Sequence, residues 1–159
     1  PYALQTPIAP HIAARQEGVA IEIEHIRQCY DRLTRNAEVV VVEGAGGFLV
    51  PINALETTAD LAKALDLPVI LVTGMRLGCI NHALLTVQAI KHAGLCLAGW
   101  VANCIDPGMQ AQEENIAALQ QRIDAPLLGR VPFAETLDST QQAQRIDVAK
   151  MIQIIGQGD

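Results

Sequence analysis

The sequence is short of aromatic side chains, with one Trp, two Tyr and two Phe among its 159 residues. So few rings exclude a stacking platform for nucleic-acid bases. It also has no basic run: eleven Lys and Arg are scattered against seventeen Asp and Glu, and the formal charge of −6 repels polyanions and anionic membranes. No apolar stretch approaches the about 18 residues a membrane helix needs, and no charged-then-apolar signal peptide opens the chain. Four cysteines, Cys29, Cys79, Cys96 and Cys104, show no CxxC spacing. They read as reduced thiols of a cytoplasmic protein. HExxH and carboxylate-rich calcium loops are missing too, and His82 and His92 stand ten apart, off the i, i+4 spacing of metal ligands on a helix.

What is present is aliphatic. Half of the residues are hydrophobic, mostly Val, Ile, Leu and Ala, and this supplies the core of one α/β domain spanning residues 1–159. Four runs read as strands buried on both faces: VVVV at residues 39–42, LPVILVTG from Leu67, LAGWVAN from Leu97, and the short PLLGRVP from Pro126. Helical periodicity falls between them. Ile23, Ile26, Tyr30 and Leu33 mark an amphipathic helix over residues 21–35. Thr57 and Thr58 can cap a helix reaching about Leu65. Leu84, Val87 and Ile90 stripe a helix over residues 81–92, with Gly94 as its left-handed stop. Further helices are expected over residues 112–123 and 146–155, whereas the opening PYALQTPIAPH reads as a loop. Alternating strands and helices with short connections predict a parallel sheet flanked by helices on both sides.

In such sheets ligands bind beyond the carboxyl ends of the strands. Glu43 ends the valine run and is followed by GAGG, a loop stripped of side chains where a phosphate can approach the backbone while an acid holds Mg²⁺. LGCIN, residues 77–81, enters a helix whose first N–H groups, with the Asn81 side chain, can bind a carboxylate or phosphate. Asn103 ends the third strand, where its amide can pair with a purine edge.

Taken as an ordered set, VVVVEGAGGFLVPI, LPVILVTGMRLGCINHALLT, HAGLCLAGWVAN and APLLGRVP, with APHIAARQEG near the start, resemble the dethiobiotin synthetase family. The resemblance implies a P-loop NTPase-like, Rossmann-like three-layer fold acting as a homodimer. It implies carboxylation and ring closure of 7,8-diaminononanoate with CO₂, driven by ATP and Mg²⁺ through a carbamate and a mixed carbamic–phosphoric anhydride. Carried over to this chain, Glu43 would be the catalytic residue and metal ligand. Gly44, Ala45 and Gly46 would wall the nucleotide, with Gly46 and Gly47 also facing substrate. Asn103, Cys104, Pro132 and Phe133 would form the base pocket. Cys79, Ile80 and Asn81 would hold the substrate carboxylate across the dimer interface, so each active site would be composite.

The family's opening strand and Gly-Lys-Thr phosphate loop have no counterpart here, since Lys63, Lys91 and Lys150 all follow residues other than glycine. The expectation is therefore a C-terminal part of a longer enzyme, inactive and prone to associate by itself. Two other readings share the fold: a non-catalytic nucleotide-sensing or dimerisation domain, and a relative among the amidotransferring synthases of the cobalamin pathway.

Overall fold

A computed structural model describes residues 1–44, 46–136 and 138–156. They fall into two compact units, Pro1–Leu67 and Pro68–Asp159, each with its own apolar core.

The first unit is helical. Helix α1 (Pro10–Gln16) starts within the last two residues of the stretch expected as a loop, because Pro10 sits in the first turn with its φ already helical and IAARQ continues with good helix formers. Helix α2 (Ile23–Thr34) matches the predicted stripe, and Arg27 bridges Glu24 and Asp31 along its outer face. Ile23 and Ile26 pack with Leu61 around buried Ala14, Ile21 and Ile52, whereas Leu33 stays exposed. Helix α3 (Thr58–Leu65) starts at Thr57, whose N–H and hydroxyl both donate to the Asp60 carboxylate at 2.8 Å.

Those bonds to Thr57, backbone first and then hydroxyl, hold the Asp60 carboxyl below its ordinary pKa. A depressed folded-state pKa contributes stability above the unfolded value, and that stability is lost as pH falls through the folded value. Asp60→Asn is therefore expected to flatten the acid limb of the stability profile below about pH 4. Thermal melts across that range would show it, and an unchanged acid slope would remove Asp60 from the cap.

The second unit holds the sheet, in the order β1-β2-β3 with both pairings parallel. Strand β1 (Val69–Gly74) leads into α4 (Cys79–His92), β2 (Leu97–Asn103) into α5 (Gln112–Gln120), and β3 (Leu127–Val131) into α6 (Ser139–Ala143) and α7 (Val148–Ile155). Helix α4 ends as predicted. Gly94 adopts φ +78°, its N–H donates to Lys91, and the Leu95 N–H reaches back to Ile90, closing the last turn. Trp100 and Ala102 of β2 are buried in one cluster with Cys79, Val87, Ile116 and Leu119, so α4 and α5 share an apolar core with the central strand. Helix α7 packs against β2 and β3.

One predicted strand is corrected. Residues 39–42 are irregular, with Val39 75% and Val41 84% exposed. Valines supply strand propensity, but a strand exists only through a neighbour's ladder, and no described segment pairs with these residues. The sheet therefore has three described strands. Its edge strand β1 keeps Val72 59% exposed.

Candidate functional site

Parallel pairing sends all three strands the same way, so their carboxyl ends lie along one rim of the sheet. At that rim Asn103 pairs with Val131, and the Cys104 N–H donates to the Val131 carbonyl at 2.8 Å. Pro132 and Phe133 come next in the chain and are thereby brought beside Cys104. These three residues line a cavity of about 320 Å³. Pro107, Pro132 and Phe133 give it flat apolar surface; Gln112 and Glu113 from the first turn of α5, with Arg130 and Arg145, give it a polar rim. Asn103 is half-buried at the strand end next to this lining rather than within it.

The cavity's electrostatics are set by an ion pair. Arg130 donates to Glu113 at 2.5 Å, and its second nitrogen lies 3.5 Å from Gln120 Oε1. Burial, reinforced by the Glu113 carboxylate and opposed by Arg130, raises the Cys104 thiol above its ordinary pKa. Cys104 is therefore a neutral wall at physiological pH, not a nucleophile.

At the end of β1, residues 75–78 turn into α4 through Gly78 at φ +90°. The Cys79 N–H is taken by the Arg76 carbonyl, and the Cys79 side chain is only 2% exposed, inside the core. The next two N–H groups, of Ile80 and Asn81, find no backbone acceptor among the described residues. An anion at this helix start would meet those two donors and the exposed Asn81 side chain.

The glycine loop belongs to the first unit. Glu43 and Gly44 are exposed in irregular backbone, and Ala45 lies outside the described residues. Gly46 and Gly47 hold φ +83° and +126°, which L side chains rarely adopt. Thr58 anchors the far side of the loop: its hydroxyl donates to the Phe48 carbonyl at 2.6 Å and accepts the Val50 N–H at 3.1 Å. Among the described residues no three His, Cys, Asp or Glu side chains converge as a metal cage. Glu43 presents an exposed carboxylate in that loop.

Of the residues lining this groove, the family resemblance had named Cys104, Pro132 and Phe133; Pro107, Gln112, Glu113, Arg130 and Arg145 were not among the expected site residues.

A parallel sheet packed against helices, with an open groove beyond its strand ends, defines an α/β domain. The family model described as "AAA domain" matches residues 1–141, which places the fold among P-loop NTPase-like domains. The chain is 59% identical over 143 residues to a protein of Aromatoleum aromaticum, covering 90% of this chain and 64% of that relative. It is 54% identical over 151 residues to one of Nitrosospira multiformis (95% and 67%) and 58% identical over 132 residues to one of a Janthinobacterium species (83% and 56%). All three relatives carry the name ATP-dependent dethiobiotin synthetase BioD. The chain belongs to the dethiobiotin synthetase family. It spans 56–67% of these relatives' length.

Proposed function

We propose that this chain carries the base-binding and substrate-binding parts of an ATP-dependent dethiobiotin synthetase, a ligase of biotin biosynthesis. The observation that carries the reading is the cavity at the ends of β2 and β3, where Cys104, Pro132 and Phe133 converge. In this reading both compact units are parts of one cytoplasmic α/β domain, and the protein works as a homodimer. Among the described residues no helix is long and apolar enough to cross a membrane.

Each residue's part derives from its chemistry. Pro132 and Phe133 offer the adenine ring an apolar face, and Asn103 offers its edge a donor and an acceptor. Glu43 provides an anionic oxygen for Mg²⁺, and Gly44, Gly46 and Gly47 leave room for phosphate oxygens against the backbone. The N–H groups of Ile80 and Asn81 take the carboxylate of 7,8-diaminononanoate, fixing its amines for attack on CO₂ and for ring closure once the carbamate oxygen is phosphorylated. ATP supplies that phosphoryl group; Mg²⁺ neutralises the charge it spreads.

Asn103→Ala is expected to raise the KM for ATP about tenfold while shifting that for the diamine little, because a lost buried hydrogen bond costs about 1 to 3 kcal/mol. Steady-state kinetics with each substrate varied separately would show this, and equal shifts in both would take Asn103 out of the base pocket.

The reading itself is tested by mass-spectrometric detection of dethiobiotin from 7,8-diaminononanoate, bicarbonate and Mg-ATP with the natural full chain. Product is expected. ATP binding without product would overturn the ligase in favour of a nucleotide-sensing domain.

A further inference from the structure

Resting on the reading that the glycine loop serves the transferring phosphoryl group, we infer that Thr58 is a positioning residue for that loop, acting through its hydroxyl. Adjacent glycines such as Gly46 and Gly47 are the most freely rotating backbone a chain can have. A loop built on them keeps one conformation only if something beyond it supplies the hold.

The frame that supplies it follows directly in the chain. Pro51 forms an antiparallel bridge with Thr57, and the Ile52 N–H donates to the Glu56 carbonyl at 2.9 Å. Asn53 closes the tip, its Oδ1 accepting the N–H groups of Leu55 at 2.9 Å and Glu56 at 2.8 Å. The frame is also tied back to the first unit: the Asn53 amide donates to the Ile21 carbonyl at 3.0 Å, and His11 Nδ1 lies 3.1 Å from the Pro51 carbonyl.

Thr58 joins this frame to the loop. Its hydroxyl donates to the Phe48 carbonyl at 2.6 Å and lies 3.0 Å from the Gly47 carbonyl, while its oxygen accepts the Val50 N–H at 3.1 Å. Among the described residues no other side chain hydrogen-bonds to residues 46–50, and their one backbone bond is also to Thr58, whose N–H donates to the Val50 carbonyl at 2.8 Å. Val50 is therefore clamped in both directions, and it passes the hold on: a Cβ added to Gly46 would lie 3.3 Å from Val50 Cγ2, so the Val50 side chain abuts that glycine. Thr58 itself is half-buried in the first turn of α3, where the bonds between Thr57 and Asp60 fix the helix start.

On the proposed function, a loosened loop costs rate rather than affinity. Phosphoryl transfer depends on position, whereas the base groove is lined entirely by residues of the second unit.

Two measurements on the natural full chain test the inference. In hydrogen exchange, Thr58→Val is expected to speed exchange of the Val50 amide about tenfold, while Thr58→Ser keeps it near the parent rate. In steady-state kinetics, Thr58→Val is expected to lower kcat about tenfold with the KM for ATP within twofold, a loss that persists well below the unfolding transition, and Thr58→Ser should stay within threefold of the parent. An unchanged Val50 amide in the Val variant would show that the hydroxyl does not hold the loop. Turnover at the parent rate in Thr58→Val, with Glu43→Gln inactive, would overturn the role of Thr58 and leave the loop reading standing. If Glu43→Gln retains turnover, the loop reading and this inference fail together. A Ser variant as impaired as the Val variant would make Thr58 a packing residue, and a raised KM for ATP at the parent kcat would make it part of ground-state binding; either result overturns the inference.

Discussion

Glu43→Gln is expected to abolish dethiobiotin formation, by a factor of about 100 or more, while leaving the unfolding midpoint where it was. The two halves of that expectation have separate causes. Glu43 is exposed in irregular backbone and supports no core, so an isosteric amide costs the fold nothing measurable. A neutral amide oxygen is, however, a poor ligand for Mg²⁺, and no group of three potential metal ligands among the described residues could replace it. On the proposed function, added Mg²⁺ should rescue the variant only weakly, because the variant would lack the charge that serves the transferring phosphoryl group. Product formation with Mg²⁺ varied checks this. Turnover within threefold of the parent would remove Glu43 from the reaction.

The sequence made the sheet legible wherever local pattern and tertiary environment agreed. Residues 69–74, 97–103 and 127–131 are apolar runs bounded by turn residues, and each is a strand. Thr57 and Gly94 name the start of α3 and the end of α4 because capping is local chemistry. The valines at 39–42 have the same local pattern, yet no described segment supplies their ladder. Pairing is a property of two segments, and one sequence stretch shows only its own half. Helix α1 was hidden for the opposite reason: seven residues are too few for periodicity to rise above the loop signal of the flanking prolines.

The site divides along the same line. Cys104, Pro132 and Phe133 were named by the family resemblance, and they follow directly on β2 and β3. Glu113, Arg130 and Arg145 stand on a helix, a strand and a connection, and they line one groove although they are far apart in the chain. No periodicity within one segment announces which side chains of the others it will meet. The polar rim of a cavity assembled from distant segments is thus the last part that sequence can reveal. The N–H groups of Ile80 and Asn81 lie between these cases: the helix was expected, but Cys79 turned inward, its thiol in the core and its N–H taken by Arg76.

Trp100→Ala is expected to destabilise the second unit by about 3 to 5 kcal/mol, the usual cost of emptying a large buried aromatic site. Trp100 is fully buried at the centre of β2, among Met75, Cys79, Val87, Ile116 and Leu119, where strand and helices on either side limit collapse into the void. Trp100→Phe separates two opposing effects. It removes volume, which destabilises, but it also removes the Nε1–H, which is buried with no hydrogen-bond acceptor among the described residues. An unsatisfied buried donor costs about 1 to 3 kcal/mol, so its removal offsets much of the lost packing and the Phe variant should fall within about 1 kcal/mol of the parent. Urea unfolding of both variants measures the difference. A Phe variant as unstable as the Ala variant would mean that Nε1–H has a partner, such as a buried water, and that β2 depends on it. Because β2 brings Cys104 to the groove and Asn103 beside it, the Ala variant should, on the proposed function, also lose nucleotide affinity as β2 loosens, whereas the Phe variant should keep it.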